Sequence, residues 1–251
     1  MIISSKSLQC CLLFVTVLFS AFTNAKDILM AFGENIPPYV FEKQDKGIEI
    51  DIISAALAYK GYTLKPLYFP LARIPMAFKN KQVDATMGDM GIDLTMHGGF
   101  YASPAVTYDN VFISLKSKNY VIKKPSDLDK LLVVSFQGAE KRYPNWLKKV
   151  EKEKRLFSIS NQFTQVKLLH LERYDVVLSD RYIFRYFAKR LQSLNVFTLG
   201  DVDEHTFTTE VPEDYRPVFR DEKIRDDFNF GLKKLKKSGE FQKIYDRYMD
   251  I

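Results

Sequence analysis

Asp180 ends the apolar run Val176-Val177-Leu178 and precedes a segment of helical spacing, Arg181 to Leu191. A carboxylate at the end of such a strand stands where α/β sheets hold ligands, and it can accept a charge-assisted hydrogen bond from an amine. Aspartate is also a good helix N-cap, and the two roles are compatible. Tyr39 and Phe41 follow Pro37-Pro38, so the loop is stiff and its aromatic edge can stack on a ligand at little ordering cost. The alternative is that Tyr39 is core and Phe41 shields a strand end. Arg73 closes Tyr68-Phe69-Pro70-Leu71-Ala72-Arg73, where a strand passes into a helix. Its guanidinium can hold an anionic group, or it pairs structurally with Glu49 or Asp51. Gln137 and Gly138 end a second strand and offer an amide and backbone donors at the start of a helix from Glu140. Arg142 and Arg181 are weaker cations, with surface pairing as the plain alternative.

His97, His170 and His205 are scattered, with no carboxylate or second histidine at metal-ligand spacing. Nor is there a Ser-His-Asp order, a phosphate-cradling glycine loop or a zinc spacing. No metal site, cofactor motif or catalytic triad is therefore evident in the sequence. An enzyme would need a general acid, for which Glu34, Glu140 and Asp180 are the choices.

Alternating elements must position these groups. Ile28 to Phe32, Thr63 to Phe69 and Val83 to Met87 read as strands. Ile50, Ile53 and Leu57 read as a helix stopped by Gly61, and Leu71 to Asn80 as a short helix started late or kinked by Pro75. A second set follows Lys116: strands at 131–136, 155–159 and 175–178, and helices at 140–154, 162–172 and 181–191. Ile224, Phe228, Leu232 and Leu235 then recur at helical spacing, Ser238-Gly239 interrupts, and Phe241, Ile244, Tyr245 and Tyr248 close the chain. The class is α/β. Without a Gly/Ser/Pro-rich linker, the two units should be joined by direct strand crossings, at Val111 to Lys116 going out and about 196–215 coming back.

Of 251 residues, 46% are hydrophobic and 27% charged, which excludes collagen-like, low-complexity and disordered classes. Lys6 is the only charge before Lys26, Cys10 to Phe22 is apolar apart from Thr16 and Ser20, and Thr23-Asn24-Ala25 ends the run on a small residue. That pattern reads as a cleaved signal peptide over 1–25, the alternative being an uncleaved anchor. Both cysteines, Cys10 and Cys11, leave with it, so the exported chain relies on packing rather than disulfides. The net charge of +6 is concentrated: between Lys116 and Arg155 twelve residues are basic and five acidic. From Asp221 onward eight basic residues meet seven acidic ones, a solvated face rather than a nucleic-acid footprint.

The order of the motifs resembles the family 3 extracellular solute-binding proteins, the periplasmic receptors typified by polar amino-acid ABC importers. Pro37-Pro38-Tyr39-Val40-Phe41 with Gly47-Ile48-Glu49-Ile50-Asp51 looks like the family's opening. Ala77 to Ala85 is similar to its helix-to-strand corner, and Tyr101-Ala102-Ser103-Pro104 stands where Phe-Ser-x-Pro-Tyr is expected. Pro125-Ser126-Asp127-Leu128, Tyr174 to Asp180 and Leu232 to Tyr248 match later segments.

The resemblance implies a two-lobe, periplasmic binding protein type II-like fold with an interlobe ligand cleft. Lobe 1 would be 26–113 with 207–251, and lobe 2 would be 114–206. It implies a periplasmic monomer that captures an amino-acid-like solute, an amine or an organic acid and presents it to an inner-membrane permease. The alternatives are a protein signalling to a membrane sensor, or a cyclic-acid dehydratase-like enzyme. By resemblance Asp180 takes the ligand's α-ammonium. The arginine that holds the α-carboxylate is missing: its matching position is Thr95, and no arginine occurs between Arg73 and Arg142. The turn Gln137-Gly138-Ala139-Glu140 also lacks the family's hydroxyls. Arg73 is then the substitute cation, and a standard α-amino acid is a poorer fit.

Overall fold

The computed structural model describes residues 26–88, 90–195, 198–207 and 216–249; the signal peptide reading, on 1–25, lies outside them. The first sheet is built from β1 (Lys26–Gly33), β2 (Tyr62–Phe69) and β3 (Ala85–Met87), with β4 (Phe100–Tyr101). The second holds β5 (Asn110–Leu115), β6 (Val133–Ser135), β7 (Leu156–Ser158), β8 (Val176–Asp180) and β9 (Val202–His205). The chain then returns to the first sheet as β10 (Pro217–Phe219). The orders are β2-β1-β3-β10-β4 and β7-β6-β8-β5-β9. In each sheet three parallel strands meet one antiparallel strand delivered from the other lobe's side of the chain, β10 beside β3 and β5 beside β8.

Helices cover both faces of each sheet because strand residues alternate between two cores. On β1, Ile28, Met30 and Phe32 pack in one cluster and Ala31 in another. On the second sheet, Val111 and Ile113 face one core while Phe112 faces the other. Lobe 1 carries α1 (Ile48–Ala58) and α2 (Ile74–Lys79). Lobe 2 carries α3 (Ala139–Arg142), α4 (Pro144–Lys152), α5 (Gln162–His170) and α6 (Arg181–Ser193), and the closing pair α7 (Glu222–Lys237) and α8 (Glu240–Met249) packs back on α1. Asp221 caps α7 through the Ile224 amide, and lysines fill its last turn, both favourable to the helix dipole. Gly47 caps α1 with φ 136°, and a Cβ there would lie 2.2 Å from the Tyr39 carbonyl oxygen; only glycine fits.

Two expectations shift. The outward passage precedes Val111–Lys116, because β5 already belongs to the second sheet from Asn110, paired with Asp180. The crossing is thus 102–109, and the 113/114 boundary falls inside a strand. The helix expected over 140–154 breaks at Tyr143 (φ −123°, ψ 57°) before Pro144, since a residue preceding proline is pushed out of the helical region.

Candidate functional site

Two adjoining hollows, each of about 580 Å³, lie between the lobes. They share Leu71 and Ala72 from lobe 1 and Phe136 and Gln137 from lobe 2. One extends to Glu34, Asn161, Phe163 and Arg190, and the other to Met90, Ile92, Gly138, Lys141 and Arg142. Most of these residues follow the C-terminal ends of parallel strands β1, β2, β3, β6 and β7, where open α/β sheets place ligands. A further hollow of about 500 Å³, beside His170, is built from lobe 2 alone.

Gln137 and Gly138 therefore line the cleft as expected from their strand end. Gly138 adopts φ 85°, but the helix it opens has only four residues, so no extended helix terminus backs it. Arg73 is exposed beside the lining residues Ala72 and Pro75. The pair with Glu49 or Asp51 is not formed: Glu49 receives the Tyr108 hydroxyl, and Asp51 receives Arg247 and Tyr248. Thr95 is exposed and donates its amide and hydroxyl to Asp93. Phe41 packs between Tyr186 and Tyr248, at 5.6 and 6.0 Å between ring centroids. Arg181 pairs with Asp109 and Glu204. Glu34, one of the three candidate acids, lines the cleft, and Lys141, Phe163 and Arg190 join it without having been singled out from the sequence. The strand-end rule that picked Asp180 finds Glu34 after β1 and Phe163 after β7, whereas Arg190 comes from mid-helix and has no such signal.

Tyr39 and Asp180 meet each other rather than the cleft. Both are buried. Asp180 Oδ1 accepts from the amides of Tyr182 and Ile183 at 2.9 and 3.0 Å, capping α6. Its Oδ2 accepts from the Asp109 amide at 2.6 Å and the Tyr39 hydroxyl at 3.2 Å. Tyr39 stacks on Tyr108 at 4.2 Å, and Tyr108 donates to buried Glu49. A chain of buried groups thus runs from lobe 1 through the outward crossing to lobe 2. Four donors occupy the four acceptor sites of Asp180, which leaves none for a ligand in this arrangement.

Burial pushes Glu49 up to about 7, against the pull of the Tyr108 hydroxyl. It pushes Asp180 up to about 7 as well, against its four donors. Folding therefore takes up protons at both sites, so their stabilisation is complete below about pH 4 and is lost as pH rises through about 7. His170 and His205, both lowered by burial, act in the opposite direction. Stability to urea should fall by about 2–4 kcal/mol between pH 5.5 and 8.5. Glu49→Gln should flatten roughly half of that slope, and an unchanged slope in this variant would show that Glu49 is not the titrating group.

Two α/β lobes, crossed twice by the chain and enclosing a cleft at their strand ends, define a two-lobe solute-binding architecture. Residues 28–251 match the model of the bacterial extracellular solute-binding proteins, family 3, and the chain belongs to that family. It is 23% identical over 240 residues to the arginine-binding periplasmic protein of Mannheimia haemolytica, covering 94% of this chain and 97% of that one. Among solved structures it is similar to an ancestral arginine-binding protein bound to arginine, with TM-score 0.67 and 19% identity over 88% of this chain and 97% of that one. A substrate-binding protein of an ABC uptake transporter from Streptococcus pneumoniae, with bound histidine, gives TM-score 0.68 and 19% identity over 90% and 93%. At that identity the structures establish the fold.

Proposed function

We propose that this protein is exported, loses residues 1–25, and captures a small polar solute of amino-acid size between its lobes for an inner-membrane ABC permease. The observation that carries the reading is the cleft itself, whose walls come from both lobes at the ends of parallel strands. Ligand held there is contacted by both lobes and so favours their closure. In this reading Gln137 and Gly138 touch the ligand and Arg73 flanks its entrance. Tyr39, Phe41 and Asp180 set how the lobes meet, and Thr95 supports the loop after Ile92. The protein works as a monomer, without metal, cofactor or nucleic acid.

Binding is favoured over turnover by the state of two of the three candidate acids. Asp180 is enclosed by its four donors, and Glu34 shares its hollow with Arg190.

A thermal-shift array of amino acids, amines, organic acids and short peptides tests the reading. A solute at 100 times its Kd adds about 2.7 kcal/mol, or about 5–10 °C in Tm. Gln137→Ala should reduce the strongest response, and mass spectrometry should recover that solute unchanged. An array without any response would reject the reading, and a converted solute would make the protein an enzyme. Co-purification with a permease separates delivery from signalling to a sensor.

A further inference from the structure

Four described residues line both hollows, Leu71 and Ala72 from lobe 1 and Phe136 and Gln137 from lobe 2, and three of the four are apolar. Leu71 and Phe136 are half-buried and Ala72 is exposed, so each keeps surface that a solute can cover. The apolar surface continues outward on both lobes. Ile92 of lobe 1 is 38% exposed and lines one hollow, and Leu194 of lobe 2 is 55% exposed and lines the other. A single exposed leucine is ordinary, but apolar side chains left open on both walls of one cleft mark a place for an apolar partner.

The aromatic rings of this cleft are held in place before any solute arrives. Phe163 meets Phe187 edge-on in the same hollow, with ring centroids 6.2 Å apart. The guanidiniums of Arg190 and Arg142 lie 5.9 and 5.5 Å from the Phe163 and Phe136 ring centroids. Each ring therefore already has a cation beside it, and apolar contact is what it has left to give a solute. A ring fixed in this way loses little freedom on binding.

Resting on the solute-binding reading above, we infer that the solute carries a bulky apolar side group, branched aliphatic or aromatic, and that the junction of the two hollows selects for it. Leu71 and Ala72 cover the group from lobe 1 and Phe136 covers it from lobe 2. Lobe closure then removes apolar surface of both protein and solute from water. Gln137, at the same junction, gives the polar end of the solute a hydrogen-bonding amide. Burying a leucine- or phenylalanine-sized group in this way is worth about 10- to 100-fold in affinity. A strongly polar side group would be stripped of water against Leu71 and Phe136, and in this the chain departs from the two similar proteins named for arginine.

The test is calorimetric titration of the purified protein with glycine, L-leucine, L-phenylalanine, L-glutamine and L-arginine. L-Leucine or L-phenylalanine should bind at least about 10-fold tighter than each of the other three, with a negative heat-capacity change. The tighter of the two tells a branched from an aromatic group. Phe136→Ala should weaken that probe about 10-fold or more. Phe136 also packs against the lobe 2 core, so the exposed Leu194 supplies a second variant that leaves the core untouched. Leu194→Ser should weaken the same probe about 3-fold or more. Three results would overturn the inference while leaving solute capture standing. They are glycine, L-glutamine or L-arginine within about 10-fold of the better apolar probe, apolar binding indifferent to Leu194→Ser and to a folded Phe136→Ala, or a strongest hit in the solute array that lacks a side group of at least leucine size. Silence of these five probes together with the whole array would overturn both readings.

Discussion

Asp180→Ala is expected to lower the unfolding free energy by about 3–5 kcal/mol, a large share of what a domain of ordinary stability possesses. The loss comes from four donors at once. The amides of Asp109, Tyr182 and Ile183 and the hydroxyl of Tyr39 all converge on this carboxylate, and each donor left buried and unpaired costs about 1–3 kcal/mol before relaxation. Asp180→Asn should cost less, about 1–2 kcal/mol. Asparagine still caps a helix, and the Tyr39 hydroxyl can turn to accept from its amide, leaving the Asp109 N–H as the poorly met group. Tyr39→Phe removes a single donor and should cost about 1 kcal/mol. Urea titrations of the three variants should therefore rank them Ala, Asn, Phe in decreasing damage. Because Tyr39 belongs to lobe 1 and Asp180 to lobe 2, the alanine variant should also show a larger radius of gyration by small-angle scattering. An alanine variant of native stability that loses only ligand affinity would instead make Asp180 a ligand group, the role expected by resemblance.

That contrast shows what the sequence made legible. Alternating strand and helix patterns were sufficient for the α/β class, because residues such as Ile28, Met30 and Phe32 must share one face and Ile50, Ile53 and Leu57 must share another. The strands that tie each sheet to the far end of the chain were not visible. Pro217–Phe219 is three residues long and is stabilised by partners more than a hundred positions away, so no local signal marks it. β5 reads as a crossing for the same reason, since its pairing with β8 is remote in sequence. The break before Pro144 did carry a local signal, the proline itself.

At the site, a strand end located Gln137 and Gly138 but could not say which strand-end groups face outward. Asp180 and Tyr39 have the right positions and types for a ligand, yet their side chains close on one another. The loop through Pro37-Pro38 folds under, with Ile36 bridging to Val40, and carries the Tyr39 ring into the core. Side-chain direction there depends on tertiary packing.

Gly231→Ala reverses the sign that helix propensity alone dictates. On an isolated helix, replacing a mid-helix glycine by alanine stabilises by about 1 kcal/mol. In this fold a Cβ at position 231 would lie 1.9 Å from the carbonyl oxygen of Ala56, 2.8 Å from its carbonyl carbon and 3.1 Å from its Cα. All three atoms are backbone of α1, so no rotamer change relieves the clash and α7 must move as a body. Ile224, Phe228, Leu232 and Leu235 lie along the same buried face of α7, and a displacement large enough to admit the methyl loosens all of them. Overpacking a well-packed contact costs about 1–3 kcal/mol when side chains can adjust, and more when they cannot. We expect a net loss of about 3 kcal/mol or more. Gly200→Ala is the control: its Cβ would meet only the Leu115 side chain, at 3.6 Å, and the expected change is within about 0.5 kcal/mol. Because α7 and α8 pack on α1 of lobe 1, amide exchange in Gly231→Ala should rise first in α1, α7 and α8 while the β5–β8 ladder of lobe 2 keeps its protection. A Gly231→Ala protein more stable than the parent would mean that α7 does not rest on α1 at this separation.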